Sequence, residues 1–412
     1  MAVQTRRSSR LAVADDVMTT PPKTHGSISR RKVSTKDTTT IRSVEKTGME
    51  RQPTDTPDFT IGQLRKSIPA HCFERSLVRS FSYLFVDLIM IVLLYIGSTK
   101  IDGVSSNPLV TYGVCWPLYW FFQGAVSTGV WVLAHECGHQ AFSKYQWVND
   151  GVGLLFHSLL LVPYYSWKHS HRRHHSNTGS VAKDEVFVPK VVEMEREGFD
   201  WEQFGIFRLV KLVGALLLGW PMYLWFNVKS RPYPGHAWVN HFDPWSPIFS
   251  KRERVEIAVS DAALVAVTYG LYVAGSTWGW MWLLKTYGIP YLLVNFWLVM
   301  ITLLQHTHPS LPHYTDSEWD WLRGALATVD RNYGWLLNTL HHHIADTHVT
   351  HHLFSQMPHY HAQEATEAIK PILGKYYQKD DRFIFKALWE DYSACRYVAP
   401  DVVGGGILWQ RH

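Results

Sequence analysis

Three short stretches of the sequence carry histidines at spacings that suit metal binding. Eight of the 23 histidines lie in these stretches. Histidines three or four residues apart share one helical face, with Cβ atoms about 5–6 Å apart, so their imidazoles can bind one ion together. Eight ligands exceed what one ion can use, so the pattern predicts two metal ions, for which imidazole suits iron, zinc, copper or nickel. The eight are His135, His139, His171, His174, His175, His348, His351 and His352.

The first stretch, taken alone, indicates a different chemistry. Residues 135–139 read HECGH, which is the HExxH pattern of zinc metalloproteases with Glu136 as general base. A membrane-embedded metalloprotease is therefore the alternative from another class of enzyme. A protease needs only one further ligand, however, whereas this chain offers two more groups of three histidines. We therefore interpret Glu136 as a residue that supports the ligands or the fold.

Composition excludes several classes of protein. The 412 residues are 46% hydrophobic, so the chain as a whole is not disordered. Its four cysteines are scattered, which argues against a disulfide scaffold. A net charge of +5 is too small and diffuse to indicate nucleic-acid binding. The apolar residues instead come in blocks, which predict helices that cross a membrane.

Four of these blocks are long enough to span about 30 Å of hydrocarbon. Two further stretches are doubtful: 152–165 is short, and Trp220-Pro221 is expected to break 209–228 in its middle. Because all histidine groups must lie on one side, an even number of crossings separates 171–175 from 348–352, and 209–228 is predicted not to cross. The count is four crossings, or six if both doubtful stretches cross. The predicted crossings are 81–97, 108–134, 257–275 and 287–304.

The predicted fold is an all-α integral membrane protein with transmembrane hairpins and a cytosolic helical cap. Asp87, inside the first crossing, should face the bundle rather than lipid. Residues 1–57 are basic and poor in large apolar side chains, which predicts a disordered cytosolic tail. Thr60 and Gln63 form a capping-box pattern at the start of a helix. The predicted parts of the domain 58–412 are an interfacial helix at 58–80, a first hairpin at 81–134, a cap at 135–254, a second hairpin at 255–305 and a cytosolic part at 306–412.

Longer strings around the histidines are specific. They are HECGHQAFS at 135–143, SWKHSH at 166–171 and ADTHVTHHLFSQMPHYH at 345–361. With them, the chain from about residue 57 to the C-terminus resembles the membrane fatty acid desaturases. It is most similar to the delta-12 (oleate) desaturases of the endoplasmic reticulum.

The resemblance implies a non-haem di-iron enzyme that uses O2 and two electrons. It implies cytochrome b5 and its NADH-dependent reductase as separate electron donors, and oleoyl chains of membrane phospholipid, such as phosphatidylcholine, as substrate. The eight histidines would be iron ligands, with no catalytic side chain beyond them. A ninth ligand is expected at the end of the last crossing, where His306 is our choice and His308 the alternative. Asp184 and Asp346, with Glu136, are expected to hold ligand imidazoles in position.

The reaction within this family is indicated by residues beside the histidines. They follow the ordinary desaturase pattern and predict oleate-to-linoleate conversion in the endoplasmic reticulum membrane, with the site and the N-terminus facing the cytosol. The alternatives are a bifunctional delta-12/omega-3 desaturase and a hydroxylase or conjugase of the same family. The residues that carry this prediction are Ala134, Thr178, Ser355 and Met357.

Overall fold

A computed structural model describes residues 50–191, 201, 204–402 and 404–411. Most of the predicted disordered tail, 1–57, lies outside the described residues. Its last part does not fit that prediction, because Gln52 is only 2% exposed. The Gln52 amide donates to the carbonyl of Ser310 at 3.0 Å, and its side chain donates to the carbonyl of Leu326. The packed structure therefore includes residues before the predicted boundary at 58.

Long helices form most of the described structure, which confirms the predicted helical membrane fold. The first four helices are α1 (Ile61–Ser67), α2 (Leu77–Ile101), α3 (Pro108–Val110) and α4 (Trp116–Gly138). The next six are α5 (Gln146–Leu159), α6 (Tyr164–Asn177), α7 (Gly205–Phe226), α8 (Arg254–Trp278), α9 (Trp280–Leu283) and α10 (Ile289–His306). The last five are α11 (Trp321–Ala325), α12 (Gly334–Leu340), α13 (His348–Leu353), α14 (His359–Leu373) and α15 (Ile384–Ala394). A 3₁₀ turn at Ala70–Phe73 follows α1, and π-helical turns at Thr111–Cys115 and Leu284–Gly288 precede α4 and α10.

Within the described residues, four helical segments are long and apolar enough to cross a membrane. They are Leu77–Ile101, Gly205–Phe226, Arg254–Trp278 and Trp280–His306. The number agrees with the prediction, but α7 takes the place of α4 in this set. Helix α4 carries polar residues such as Gln123, Ser127 and Thr128, and nearly all of its second half is buried. A helix that is surrounded by other helices need not be as apolar as one that faces lipid.

Asp87 in α2 faces the interior, as predicted. It is 2% exposed, and its Oδ2 lies 2.7 Å from Nε2 of His342. The carboxyl group thus has a polar partner inside the bundle, which it would lack in lipid.

The expected break at Trp220-Pro221 is wrong, because α7 is one continuous helix with Pro221 inside it. Proline has no amide hydrogen, so the carbonyl four residues earlier loses its helical partner. That carbonyl belongs to Leu217, and Nδ2 of Asn295 in α10 donates to it at 3.4 Å. A neighbouring helix therefore satisfies the group that Pro221 leaves unpaired, and the helix continues.

The segment predicted as an interfacial helix packs on the protein itself. The Thr60–Gln63 capping box is present, as predicted. The apolar side of α1, with Leu64 and Ile68 buried, packs in one cluster with Ile369 and Leu373 of α14. Its apolar face therefore packs on α14.

Two small sheets were not part of the all-α prediction. Strands β1 (Pro312–Tyr314), β5 (Ile407–Arg411) and β4 (Tyr397–Pro400) form an antiparallel sheet in that order, and β2 (Asp330–Arg331) pairs in parallel with β3 (Lys379–Asp380). Each strand has five residues or fewer, too short to show the alternating pattern that predicts strands.

A buried ion-pair network attaches the C-terminal part to the end of α10. Arg331 is 1% exposed and pairs with Asp380 and Asp391. Its Nε donates to the carbonyl of Leu304 at 2.9 Å, two residues before His306. The network therefore helps to position the end of α10.

Candidate metal centre and adjoining cavity

Four helices bring the predicted histidines together. We call the histidine stretches 135–139, 171–175 and 348–352 the first, second and third box. The first box lies in the last turn of α4, with His139 as the C-terminal cap of the helix, rather than after the helix as the sequence suggested. The second box lies in α6 and the third in α13. Helix α10 ends at His306, beside them. All nine predicted ligand histidines thus converge, although 212 residues lie between His139 and His352 in the chain.

Five of the nine form one compact group, which we call the first group. Each offers one ring nitrogen, and these nitrogens lie within 4.8 Å of one another. The Nε2 atom of His135 is 3.0 Å from that of His171 and 3.2 Å from that of His139. The members of the first group are His135, His139, His171, His175 and His351.

The remaining four form the second group. Ring nitrogens of His174, His306 and His352 lie within 4.8 Å of one another. His348 joins them, because its Nε2 is 3.1 Å from Nε2 of His306 and 3.1 Å from Nε2 of His352. The structure therefore places His306 with the box histidines.

Boxes two and three each contribute to both groups. In α6, His171 and His175 are one turn apart and enter the first group, while His174 enters the second. In α13 the relation is reversed, because His352 lies in the second group with His348 and His351 lies in the first. Helices α6 and α13 therefore each supply histidines to both groups.

The donor atoms fit two metal ions. Imidazole nitrogens bind a metal ion at about 2.0–2.1 Å, so adjacent ligands at a right angle are about 3.0 Å apart, close to the spacing seen here. Two neutral imidazoles that face each other can share only one hydrogen, so such a cluster leaves donor atoms unsatisfied. Buried Nε2 atoms of His174 and His351 indeed have no hydrogen-bond partner.

The environment keeps these imidazoles neutral. Burial lowers the pKa of His171, His175 and His352 well below the ordinary value, and the neighbouring histidines lower it further. The same causes, with burial first, lower the pKa of His348 and His351. Neutral imidazole is the form that binds metal, so no proton has to be displaced.

Two of the residues predicted to support ligands contact box histidines. Oδ1 of Asp184 lies 2.6 Å from Nδ1 of His174. Glu136 is 2% exposed; its Oε1 lies 3.4 Å from Nδ1 of His135, and its Oε2 accepts the amide of His359 at 3.0 Å. Asp346 instead lies 3.0 Å from Nδ1 of His343, so the structure does not bring it to a box histidine.

His308 lies apart from both groups. Its Nδ1 is 2.6 Å from Oγ of Ser310, and its Nε2 is 3.8 Å from Asp380. Of the other histidines, His342 contacts Asp87 and His313 lies in β1.

A large apolar cavity adjoins both groups. Its volume is about 580 Å³, and its walls come mainly from α4, α6, α7 and α10. His135 and His171 of the first group and His174, His306 and His348 of the second line one part of it. Apolar lining residues include Trp131, Val132, Trp167, Ala215, Leu218, Leu298 and Ile301. The size and apolar lining of this space suit a long apolar chain, and its histidine-lined part lies beside both groups.

The four predicted specificity residues lie outside this lining. Ala134 is buried in α4, and Met357 packs in the cluster formed by α1 and α14. Thr178 lies at the centre, because its Oγ1 donates to the carbonyl of His174 at 2.7 Å and is 3.3 Å from Nδ1 of His352. Ser355 follows α13. Their influence on specificity stays a prediction. Apart from His306, the lining residues of α7 and α10 carry no motif, so the sequence did not reveal them.

Comparison with known proteins gives consistent matches. The family model described as fatty acid desaturase matches residues 115–383, which include all nine histidines. The omega-6 fatty acid desaturase, endoplasmic reticulum isozyme 1, of Glycine max is 56% identical over 366 residues, or 88% of this chain and 93% of the relative. The delta(12)-oleate desaturase of Trichosanthes kirilowii is 53% identical over 371 residues, which are 89% of this chain and 99% of the relative. The delta(12)-fatty-acid desaturase of Arabidopsis thaliana is 53% identical over 379 residues, which are 90% of this chain and 96% of the relative.

Proposed function

This chain belongs to the fatty acid desaturase family, and we propose that it is a delta-12 desaturase that converts oleoyl chains of membrane phospholipids to linoleoyl chains. The observation that carries the proposal is the apolar cavity of about 580 Å³ lined by histidines of both groups. An acyl chain in that space would have a methylene carbon beside the metal centre. The names of the relatives supply the position of the new double bond.

We assign the nine histidines as ligands of two irons. His135, His139, His171, His175 and His351 would hold one iron, and His174, His306, His348 and His352 the other. When bound, the irons supply the O2-dependent oxidation of an unactivated methylene, which no side chain can perform. The protein residues bind and orient the chain: Trp131 and Trp167 form part of the wall beside the histidines. The apolar wall also excludes water from the reacting carbons.

Two carboxyl side chains would support this centre without reacting. Asp184 fixes the ring and tautomer of His174, so that Nε2 is free for metal. Glu136 is held by the His359 amide and is not part of the cavity lining, which does not suit the general base of a protease.

The electron donors would be cytochrome b5 and its NADH-dependent reductase, as separate proteins. Arg172 at box two has a side chain that is 64% exposed and could face an acidic donor. Its charge and that of Arg173 are partly balanced by Glu253, at 2.9 and 2.6 Å. A docking surface there would therefore be only weakly basic.

The proposed topology has four crossings, formed by α2, α4, α8 and α10, in the endoplasmic reticulum membrane with the N-terminus and the metal centre on the cytosolic side. Helix α7 would not cross, because its two ends contact parts of the cap. Near its start, Arg208 donates to Ser393 of α15 at 2.9 Å. Near its end, the carbonyl of Leu224 accepts the amide of His241 at 2.8 Å.

The test is the fatty acid profile of yeast that expresses the chain, measured by gas chromatography, since yeast supplies oleate and cytochrome b5. We expect linoleate in the wild type and none in His351→Ala, at matched protein level in the membrane fraction. A triunsaturated product in addition would indicate a bifunctional enzyme, and hydroxylated oleate a hydroxylase. An unchanged profile, or full product from His351→Ala, would overturn the proposal.

A further inference from the structure

Outside the metal centre, four side chains with metal-binding atoms meet where the 3₁₀ turn Ala70–Phe73 packs on α14. His71 and Cys72 come from the turn, and His361 and Glu364 from the first half of the helix. Each offers one ligand atom, and the four atoms lie within 4.8 Å of one another. The sequence did not reveal this cluster, because 288 residues lie between Cys72 and His361 in the chain.

The distances resemble those of a tetrahedral site. Sγ of Cys72 lies 3.7 Å from Nε2 of His71, and that nitrogen lies 2.9 Å from Oε2 of Glu364. With metal–sulfur bonds of about 2.3 Å and metal–nitrogen bonds of about 2.0–2.1 Å, a tetrahedral ion separates sulfur and nitrogen by about 3.6 Å. The 2.9 Å contact is a hydrogen bond that a metal ion would replace with a slightly longer separation.

Burial and exposure also suit a metal site. Cys72 is fully buried, at 0% exposure, so its sulfur is fixed in place. The side chains of His71 and Glu364 are 53% and 48% exposed, so an ion can enter from solvent. The turn and α14 are each anchored by other contacts, including the 2.9 Å hydrogen bond from the Ser76 amide to the Tyr360 hydroxyl. The four donors are therefore held together even without an ion.

The donor set selects the metal. One thiolate, two imidazoles and one carboxylate are ligands that zinc uses in four-coordinate sites, whereas magnesium and calcium prefer oxygen alone. We propose that His71, Cys72, His361 and Glu364 form a structural zinc site that ties the segment before α2 to α14. The site is separate from the nine-histidine centre and does not depend on the proposed function.

The first experiment uses cobalt(II) as the probe on the purified full-length, iron-loaded protein. A cobalt ion bound by a thiolate gives a near-ultraviolet charge-transfer band. The nine-histidine centre has no sulfur among its donors, so the band reports a cysteine-containing site. We expect the band in the wild type and in the control Cys395→Ser, and its loss in Cys72→Ser. Absence of the band in the wild type, or its persistence in Cys72→Ser, would overturn the proposal.

The second experiment measures zinc and iron per chain by mass spectrometry. We expect the wild type to retain zinc after gel filtration. Loss of a group that only supports a ligand costs about 10–100-fold in metal affinity, so Glu364→Gln, which removes a ligand at a half-exposed position, should lower zinc affinity about tenfold or more. Iron content should be the same in both proteins, so a failure of zinc binding is distinguishable from a failure of the iron centre. Equal zinc affinity in the two proteins would mean that the four side chains form a hydrogen-bonded cluster only.

Discussion

His174 and Asp184 are joined at 2.6 Å through Nδ1 and Oδ1, and this contact determines which nitrogen of His174 is available to a metal. The carboxylate is itself fixed, because it accepts the amides of Gly179 at 3.0 Å and Val186 at 3.2 Å. Nδ1 therefore carries the hydrogen, and Nε2 is left without a protein partner in the second group. The loop after α6 thus sets the tautomer of a ligand in α6.

Replacing Asp184 with Asn should weaken iron binding. The neutral amide holds the imidazole less firmly and makes it less basic, and loss of such a partner costs about 10–100-fold in metal affinity. Iron per chain, measured over a titration of the purified protein, checks the prediction. Asp316→Asn is the matched control, since Asp316 forms an exposed pair with Lys183 at 3.0 Å. Equal iron affinity in the two variants would contradict the role given to Asp184.

His306 and His308 should behave differently when each is replaced with Ala. His306 lies 3.1 Å from His348, nitrogen to nitrogen, so its loss should remove a ligand and abolish linoleate formation. His308 contacts Ser310 instead, so its loss should leave iron content and product formation largely intact. Iron analysis of both purified variants and the yeast fatty acid profile give the answer. Loss of iron in His308→Ala but not in His306→Ala would reverse the assignment.

A larger side chain at Gly214 should obstruct the acyl chain. Gly214 lines the cavity, and a Cβ atom placed there meets no other atom within 4 Å, so the helix can accept the change while the cavity loses volume. Since displacement of a substrate by about 1 Å can cost about 100-fold in rate, Gly214→Leu should reduce linoleate by at least tenfold.

Gly270→Leu provides the control for this experiment. Gly270 lies inside α8, a Cβ atom there also meets nothing within 4 Å, and it is not part of the cavity lining. Both changes have a similar effect on helix propensity, so product loss in Gly214→Leu alone reports the cavity. Equal linoleate in the two variants would mean that the chain binds elsewhere.

Replacing Arg331 with Ala should destabilise the protein strongly. The change leaves the carboxylates of Asp380 and Asp391 buried, at 3% and 1% exposure, with less positive charge to balance them. Breaking a buried ion pair in this way costs about 3–5 kcal/mol. We expect a lower melting temperature of the solubilised protein and less of it in the membrane.

Lys370→Ala is the control for this experiment. It removes an ion pair with Glu367, whose side chain is 72% exposed, and should cost about 1 kcal/mol or less of stability. Similar melting temperatures for both variants would show that the network is not required.

The sequence by itself predicted which histidines come together in the fold. Spacings of three and four place His171, His174 and His175 on neighbouring helical positions, because helix periodicity is a local property. The length of the apolar blocks likewise predicts membrane helices, since the hydrocarbon thickness sets that length.

Only the tertiary structure decided how the ligands are divided and where the substrate cavity lies. His174 and His351 enter the group opposite to that of the other histidines in their boxes. The reason is that rings of α6 and α13 meet at the centre, as those of His175 and His352 do with centroids 4.2 Å apart, which no local pattern encodes. In α7, the carbonyl of Leu217 that Pro221 leaves unpaired accepts a hydrogen bond from Asn295, which is 78 residues further along the chain. Cavity walls and side-chain partners of this kind arise from packing between segments that are distant in the chain, so spacing within one segment cannot predict them.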